Sequence, residues 1–215
     1  MLKKLRWIVL SLVLLGLLAY FALPWIVNPG TALTLTPYDL AEWATLYPPV
    51  AGIADPMLTA FFLRMVPVFL IWMLVALSVT LRVSFQSSWT WLGLFIVVLA
   101  AIALLPPLEF FTSERGNPNF RQQMLIAVIT GLGGVVLIAP LPRRWYLILL
   151  VLLAGASGIL ATLGLLQARD LMIGFQMPVA IGLGYGLLIG VLLAAVIMLS
   201  VIAASRLKPV FGRLA

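Results

Sequence analysis

Met177–Ala204, MPVAIGLGYGLLIGVLLAAVIMLSVIAA, runs without a charged residue into the basic tail Ser205-Arg206-Leu207-Lys208. A helix needs roughly 20 apolar residues to cross the hydrocarbon core of a bilayer, and this stretch exceeds that. Working back along the chain, five more apolar runs precede it, at about 7–27, 57–81, 89–105, 124–139 and 145–166. The composition agrees: 64% of residues are hydrophobic and 9% charged, whereas soluble domains carry roughly a quarter charged residues. The expected fold is an all-α polytopic membrane bundle, a single transmembrane domain over 1–215 with six transmembrane helices.

The charges fix an orientation for this expectation. Numbering the gaps between apolar runs puts Lys3, Lys4, Arg6, Arg82, Arg143, Arg144, Arg206, Lys208 and Arg213 on one side, with no acid. The other side takes Asp39, Glu42, Asp55, Glu109, Glu114 and Asp170, together with Arg64, Arg115, Arg121 and Arg169. One side carries +9 and the other −2, which make up the net charge of +7. Basic residues are retained on the cytoplasmic side of multispanning proteins. Both termini are therefore expected to be cytoplasmic, in a bacterial cytoplasmic membrane. The same clustering argues against nucleic acid as a partner, because short basic groups at the ends of apolar runs hold those ends at anionic headgroups. The lipid bilayer itself is the first partner expected.

Lys3-Lys4-Leu5-Arg6 followed by an apolar run from Trp7 to Leu23 has the charge pattern of a signal peptide. The run is longer than the ~7–15 residues of a signal-peptide core and no A-x-A site follows it, so it reads as an uncleaved first span. In the first outer loop, Asn28-Pro29-Gly30 is a turn, and Pro37 is suited to the first position of a helix. Leu40, Trp43, Leu46 and Tyr47 then fall on one helical face, with Asp39 and Glu42 in the first turns, where the helix dipole favours acids. This segment is expected to be a short helix lying in the outer membrane interface. Leu23-Pro24-Trp25, Gly30 and Leu35-Thr36-Pro37-Tyr38-Asp39-Leu40 resemble the first outer loop of many small bacterial membrane proteins, a likeness that implies no activity.

Cysteine and histidine are both absent. Zinc sites built on those residues, iron–sulfur clusters, thiol nucleophiles, histidine-ligated haem and histidine proton relays are thereby excluded. No metal or cofactor site is expected. No nucleotide-binding motif occurs. None of the spans holds a carboxylate, lysine or histidine near its middle, where ion-coupled carriers keep the group that binds the coupling ion.

Two constellations remain. Gly182, Gly186, Gly190 and Ala194 repeat every fourth residue and form one bare helix face, the pattern that lets a second backbone approach closely within a membrane. The face is expected either to pack against another span of this chain or to meet another membrane protein subunit. On that expectation Gly186→Leu should be more damaging than Arg64→Ala. Similar small-residue surfaces occur at Gly131, Gly133 and Gly134 and at Ala154–Gly158, so the last three spans are expected to be the tightest part of the bundle. The second constellation is a possible intramembrane polar site. Arg64 is the one ionisable residue inside a span, seven residues past Met57 and so roughly 10 Å along the helix axis. It is expected to snorkel outward, to pair with an acid such as Asp39 or Glu42, or to grip an anionic headgroup or substrate.

These features favour a non-enzymatic integral membrane subunit or accessory protein of a larger complex, with no catalytic residues. A membrane component of a transporter for a neutral or lipid-like solute is the alternative. An interfacial enzyme using Asp39, Glu42 and Arg64 is a third reading.

Overall fold

The computed structural model describes residues 2–28, 30, 32–46, 55–81, 88–138 and 142–211. It is mostly helical, at 79%. In chain order the elements are α1 (Leu2–Phe21), β1 (Ile26–Asn28), β2 (Leu33–Leu35), α2 (Pro37–Thr45), α3 (Pro56–Leu81), α4 (Ser88–Ile102), α5 (Glu109–Thr112), α6 (Pro118–Val136), α7 (Arg143–Gly174), β3 (Ala180–Ile181) and α8 (Leu183–Phe211). Among the described residues, three helices are long and apolar enough to cross a membrane: α3, α7 from Arg144 and α8 up to Ala204. The apolar part of α1, Trp7–Phe21, is shorter.

The first span ends earlier than its hydropathy suggests. The helix stops at Phe21, and Ile26-Val27-Asn28 extends as a strand. Trp25 terminates the helix: its indole N–H donates to the Ala19 carbonyl at 3.1 Å, one of the last carbonyls that α1 leaves without a helical partner. The strand β1 then pairs antiparallel with β2 (Ile26 with Leu35, Asn28 with Leu33) and with β3 (Ile26 with Ile181), in the order β2-β1-β3. The all-α expectation is corrected to that extent. Hydropathy reads Ile26, Val27, Ala180 and Ile181 as the continuation of helices, yet their backbone groups are satisfied across strands. Gly182 and Gly184 donate their N–H groups to Trp25 and Pro24 carbonyls at 2.8 and 3.0 Å.

Thr36 and Asp39 start α2 with a reciprocal cap. Thr36 Oγ1 accepts from the Asp39 N–H, and the Asp39 carboxylate accepts from the Thr36 N–H at 3.1 Å. Pro37, Leu40, Ala41 and Ala44 of α2 are buried, because the helix lies against α3 and α7. Leu46, at the end of the same segment, is exposed. Tyr47 lies outside the described residues.

The centre of the bundle is α3, which meets α1, α2, α4, α6 and α7. In its most apolar stretch 72% of residues are buried, against 39% in α7 and 33% in α8. The expectation that the last three spans pack most tightly is therefore corrected. A helix apolar on every side is suited to the middle, and α3 fits that description. Gly164 of α7 lets it approach: a Cβ there would meet Leu63 of α3 at 2.8 Å from its side chain and 3.2 Å from its backbone nitrogen. Helix α7 also continues to Gly174, through Gln167–Asp170, which the charges had suggested was loop.

The connections gather at one end of the bundle. The sheet, α2, the start of α3, the start of α6, the end of α7 and the start of α8 share that end, as the β1–β3 pairing and the contacts of Glu42 described below require. Asp39, Glu42, Asp55, Glu109, Glu114 and Asp170 all belong to its segments.

Candidate functional site

Arg64 lies two turns into α3, and its side chain is only 2% exposed. A guanidinium cannot shed its charge under any ordinary condition, so a buried one must be matched. Helix α2 supplies the match. Its cap and its apolar face fix it across α3 with Glu42 turned inward, and Arg64 Nη2 meets Glu42 Oε1 at 2.7 Å.

Helix α6 completes the shell. Asn117 caps it by accepting from the Asn119 N–H, and Pro118 occupies its first turn, so Asn119 and Gln123 follow one turn apart on the same face. Asn119 Nδ2 donates to Glu42 Oε2 at 3.3 Å, and Gln123 Nε2 donates to Glu42 Oε1. Gln122, beside them, accepts from Arg64 Nη1 at 3.1 Å and donates to the Met57 carbonyl at 2.9 Å. One carboxylate thus takes hydrogen bonds from three side chains on two helices. A neutral ion pair enclosed by three carboxamides ties α2, α3 and α6 together.

The cluster is not closed. Arg64 Nε, Asn119 Oδ1 and Gln123 Oε1 are buried and have no hydrogen-bond partner among the described residues. The Tyr20 hydroxyl, also buried and without such a partner, lies within electrostatic reach of Arg64 and Glu42. The Glu42 side chain remains 34% exposed, which makes it the edge of the cluster open to the outside. Tyr38, half-buried on α2, has its phenol raised above the ordinary value of 10.0, first by burial and then by the Glu42 carboxylate.

Of the residues singled out from sequence, Glu42 and Arg64 come together and Asp39 does not join them. Asp39 Oδ2 is taken by the cap, where it also accepts from Thr36 Oγ1 at 2.7 Å. The interfacial-enzyme reading needs Asp39 and Glu42 as a pair, and the cap occupies one of the two. Asn119, Gln122 and Gln123 are not among the residues singled out, because they precede the apolar run at about 124–139, in what hydropathy reads as loop. Asn followed by Pro is also the start signal of a helix, and placing the helix there would have put the three amides on its first turns. No group of three acidic residues placed to hold a metal ion occurs among the described residues.

The glycine row divides. Gly182 lies between β3 and the start of α8, so it is not on the helix face expected of it, and a Cβ there would run into the Pro24 carbonyl. Gly186 and Gly190 are exposed, with no described atom within 4 Å of where a Cβ would stand. Ala194 is partly buried. Beside this face, α7 and α8 leave an open apolar groove of about 400 Å³, lined by Ala154, Gly155, Gly158, Thr162, Ile189 and Leu193 among others. Thr162 Oγ1 and the Tyr185 hydroxyl, 3.0 Å apart, satisfy one another between the two helices.

No protein-family model, curated protein sequence or solved structure matches the chain.

Proposed function

We propose that the protein is a non-enzymatic integral membrane subunit of a larger membrane complex, docking a partner's helix along α7 and α8. The observation that carries this reading is the open small-residue surface of these two helices. Gly155, Gly186 and Gly190 have no described neighbour where a side chain would stand, while a groove runs between their helices. In a bilayer, helix association depends on close packing rather than on escape from water. Glycines that meet no described residue still lower helix propensity by up to about 1 kcal/mol each relative to alanine. Their presence on a lipid-accessible face is accounted for if a second backbone lies there.

Six spans with both termini in the bacterial cytoplasm form part of the same proposal. Its support is the gathering of every acidic residue at the end that holds the sheet and α2, with the segments of Lys3, Lys4, Arg143 and Arg144 at the other. Purification of the full chain in a mild detergent tests the subunit reading. A second membrane protein retained at fixed stoichiometry, and lost in Gly186→Leu, is the expected result. Isolation of the chain alone and monodisperse from its native membrane would refute it.

A further inference from the structure

We propose that the Glu42–Arg64 cluster is a binding site for an uncharged, hydroxyl-bearing group, which enters past the exposed edge of Glu42. The inference stands apart from the subunit reading and uses a different part of the molecule.

The unmet hydrogen-bonding capacity defines the ligand. The Tyr20 hydroxyl makes no hydrogen bond to the cluster; the side chains bonded to Glu42 themselves leave one free donor, Arg64 Nε, and two free acceptors, Asn119 Oδ1 and Gln123 Oε1. The three side chains that carry them are 2%, 9% and 4% exposed. Each is anchored through its other polar atoms to Glu42. The two free carbonyl oxygens belong to the same planar amides whose nitrogens touch that carboxylate, and Nε belongs to the guanidinium that pairs with it. All three side chains therefore flank the Glu42 carboxylate. Buried groups left in this condition are costly, so a partner that satisfied them would be held there.

Charge narrows the choice. An anion such as a phosphate or carboxylate supplies only acceptors. It would engage Arg64 Nε, leave both carbonyls unmet and set a second negative charge beside Glu42. An ammonium group supplies only donors and would sit beside Arg64. The pair is already neutral, so either ion brings an unmatched charge into a low-dielectric site. A hydroxyl donates and accepts at once. One or two hydroxyls answer all three atoms without adding charge. Such hydroxyls could be those of a free polyol or those of a sugar headgroup on a neutral lipid. The cluster lies roughly 10 Å from the end of α3, a depth that a lipid headgroup and its glycerol can both reach.

The test uses the full chain in nanodiscs of phosphatidylcholine, since sugar detergents would themselves bring hydroxyls. Monoglucosyl-diacylglycerol or free methyl glucoside is titrated in while Tm is followed. The expected result is a saturable rise in Tm, with half-saturation at least about tenfold weaker in Gln123→Met, the scale of one lost hydrogen bond. A rise with the glycolipid alone identifies a headgroup as the source; a rise with both identifies a free polyol. No saturable rise in the wild-type chain with either probe overturns the proposal, whether or not the variant folds. An equal rise in wild type, Gln123→Met and a second variant, Asn119→Leu, overturns it too, because the effect would then lie elsewhere.

Discussion

Replacing Glu42 with glutamine is the sharpest test of what holds α2, α3 and α6 together. The side chain keeps its shape and loses its charge. Arg64, 2% exposed, keeps its charge and has nowhere to take it. Removing one partner of a buried pair costs about 3–5 kcal/mol. Glu42 is 34% exposed, so solvent screens part of the interaction and about 3 kcal/mol is the reasonable figure. The single carbonyl of the new amide can accept from only two of the three donors that now reach Glu42, which works in the same direction. For a chain of this size about 2–4 °C accompanies each kcal/mol, so Tm should fall by roughly 6–12 °C. The companion is the double variant Glu42→Leu/Arg64→Met, which removes both charges and fills the space with apolar atoms. Such replacements are often neutral or stabilising; here Asn119, Gln122 and Gln123 lose partners, which offsets part of that gain, so the double variant should melt above Glu42→Gln but below wild type. Thermal unfolding of the three proteins in one detergent, followed by tryptophan fluorescence, gives the comparison. If Glu42→Gln melts within about 2 °C of wild type, or if the double variant is the less stable of the two, the ion pair is not what organises this end of the bundle.

Gly164→Ala should lower stability by about 1–3 kcal/mol, because its methyl group would meet Leu63 at the α3–α7 seam. Gly155→Ala, with open space around it, should be neutral or stabilising by up to about 1 kcal/mol through helix propensity; equal losses at the two sites in a thermal assay would contradict the packing described. Gly186→Leu should leave the isolated chain as stable as wild type, since no described atom stands in its way. That reverses the ranking against Arg64→Ala drawn from sequence, and a collapse of the isolated Gly186→Leu chain in size-exclusion chromatography would restore it. The raised phenol of Tyr38 makes the folded state resist its ionisation. The unfolded chain binds fewer protons than the folded one above pH ~10, so stability is retained below that value and falls as pH rises through the folded-state value. Tyr38→Phe should flatten this alkaline fall in a chemical-denaturation series; an unchanged slope would show that the phenol ionises alike in both states.

Hydropathy and charge order carried the helical character and the segregation of acids to one end, because both depend on bulk transfer energies that each residue contributes independently. The elements they missed depend on pairing. Ile26-Val27 reads as helix until Leu33-Thr34-Leu35 and Ala180-Ile181 are seen to lie beside it, and that adjacency is a property of the folded chain. Helix α7 runs past Leu166 through Gln167, Arg169 and Asp170 because polar residues end a membrane span without ending a helix; Thr59 and Gln167, 3.1 Å apart, join it to α3 there.

The polar cluster and the glycine row show opposite limits of the same kind. Arg64 was conspicuous by itself, since a lone charge in an apolar run demands a partner. The charge rule offers Asp39 and Glu42 equally, three residues apart. What separates them is Thr36: its hydroxyl and N–H make Asp39 a cap, which turns the next acid, three residues on, toward α3. The choice of partner was thus encoded locally, in a Thr-x-x-Asp sequence preceding the helix. The amides of α6 were encoded the same way by Asn117-Pro118. Glycine spacing contains no such information. A bare face says that a backbone can come close, and it is silent about whose. At Gly182, which lies between β3 and the start of α8, the neighbour is Pro24 of this chain; at Gly186 and Gly190, on one face of the helix proper, no described residue fills the place. Identical spacing therefore has two physical outcomes, a backbone contact just before α8 and an open face within it.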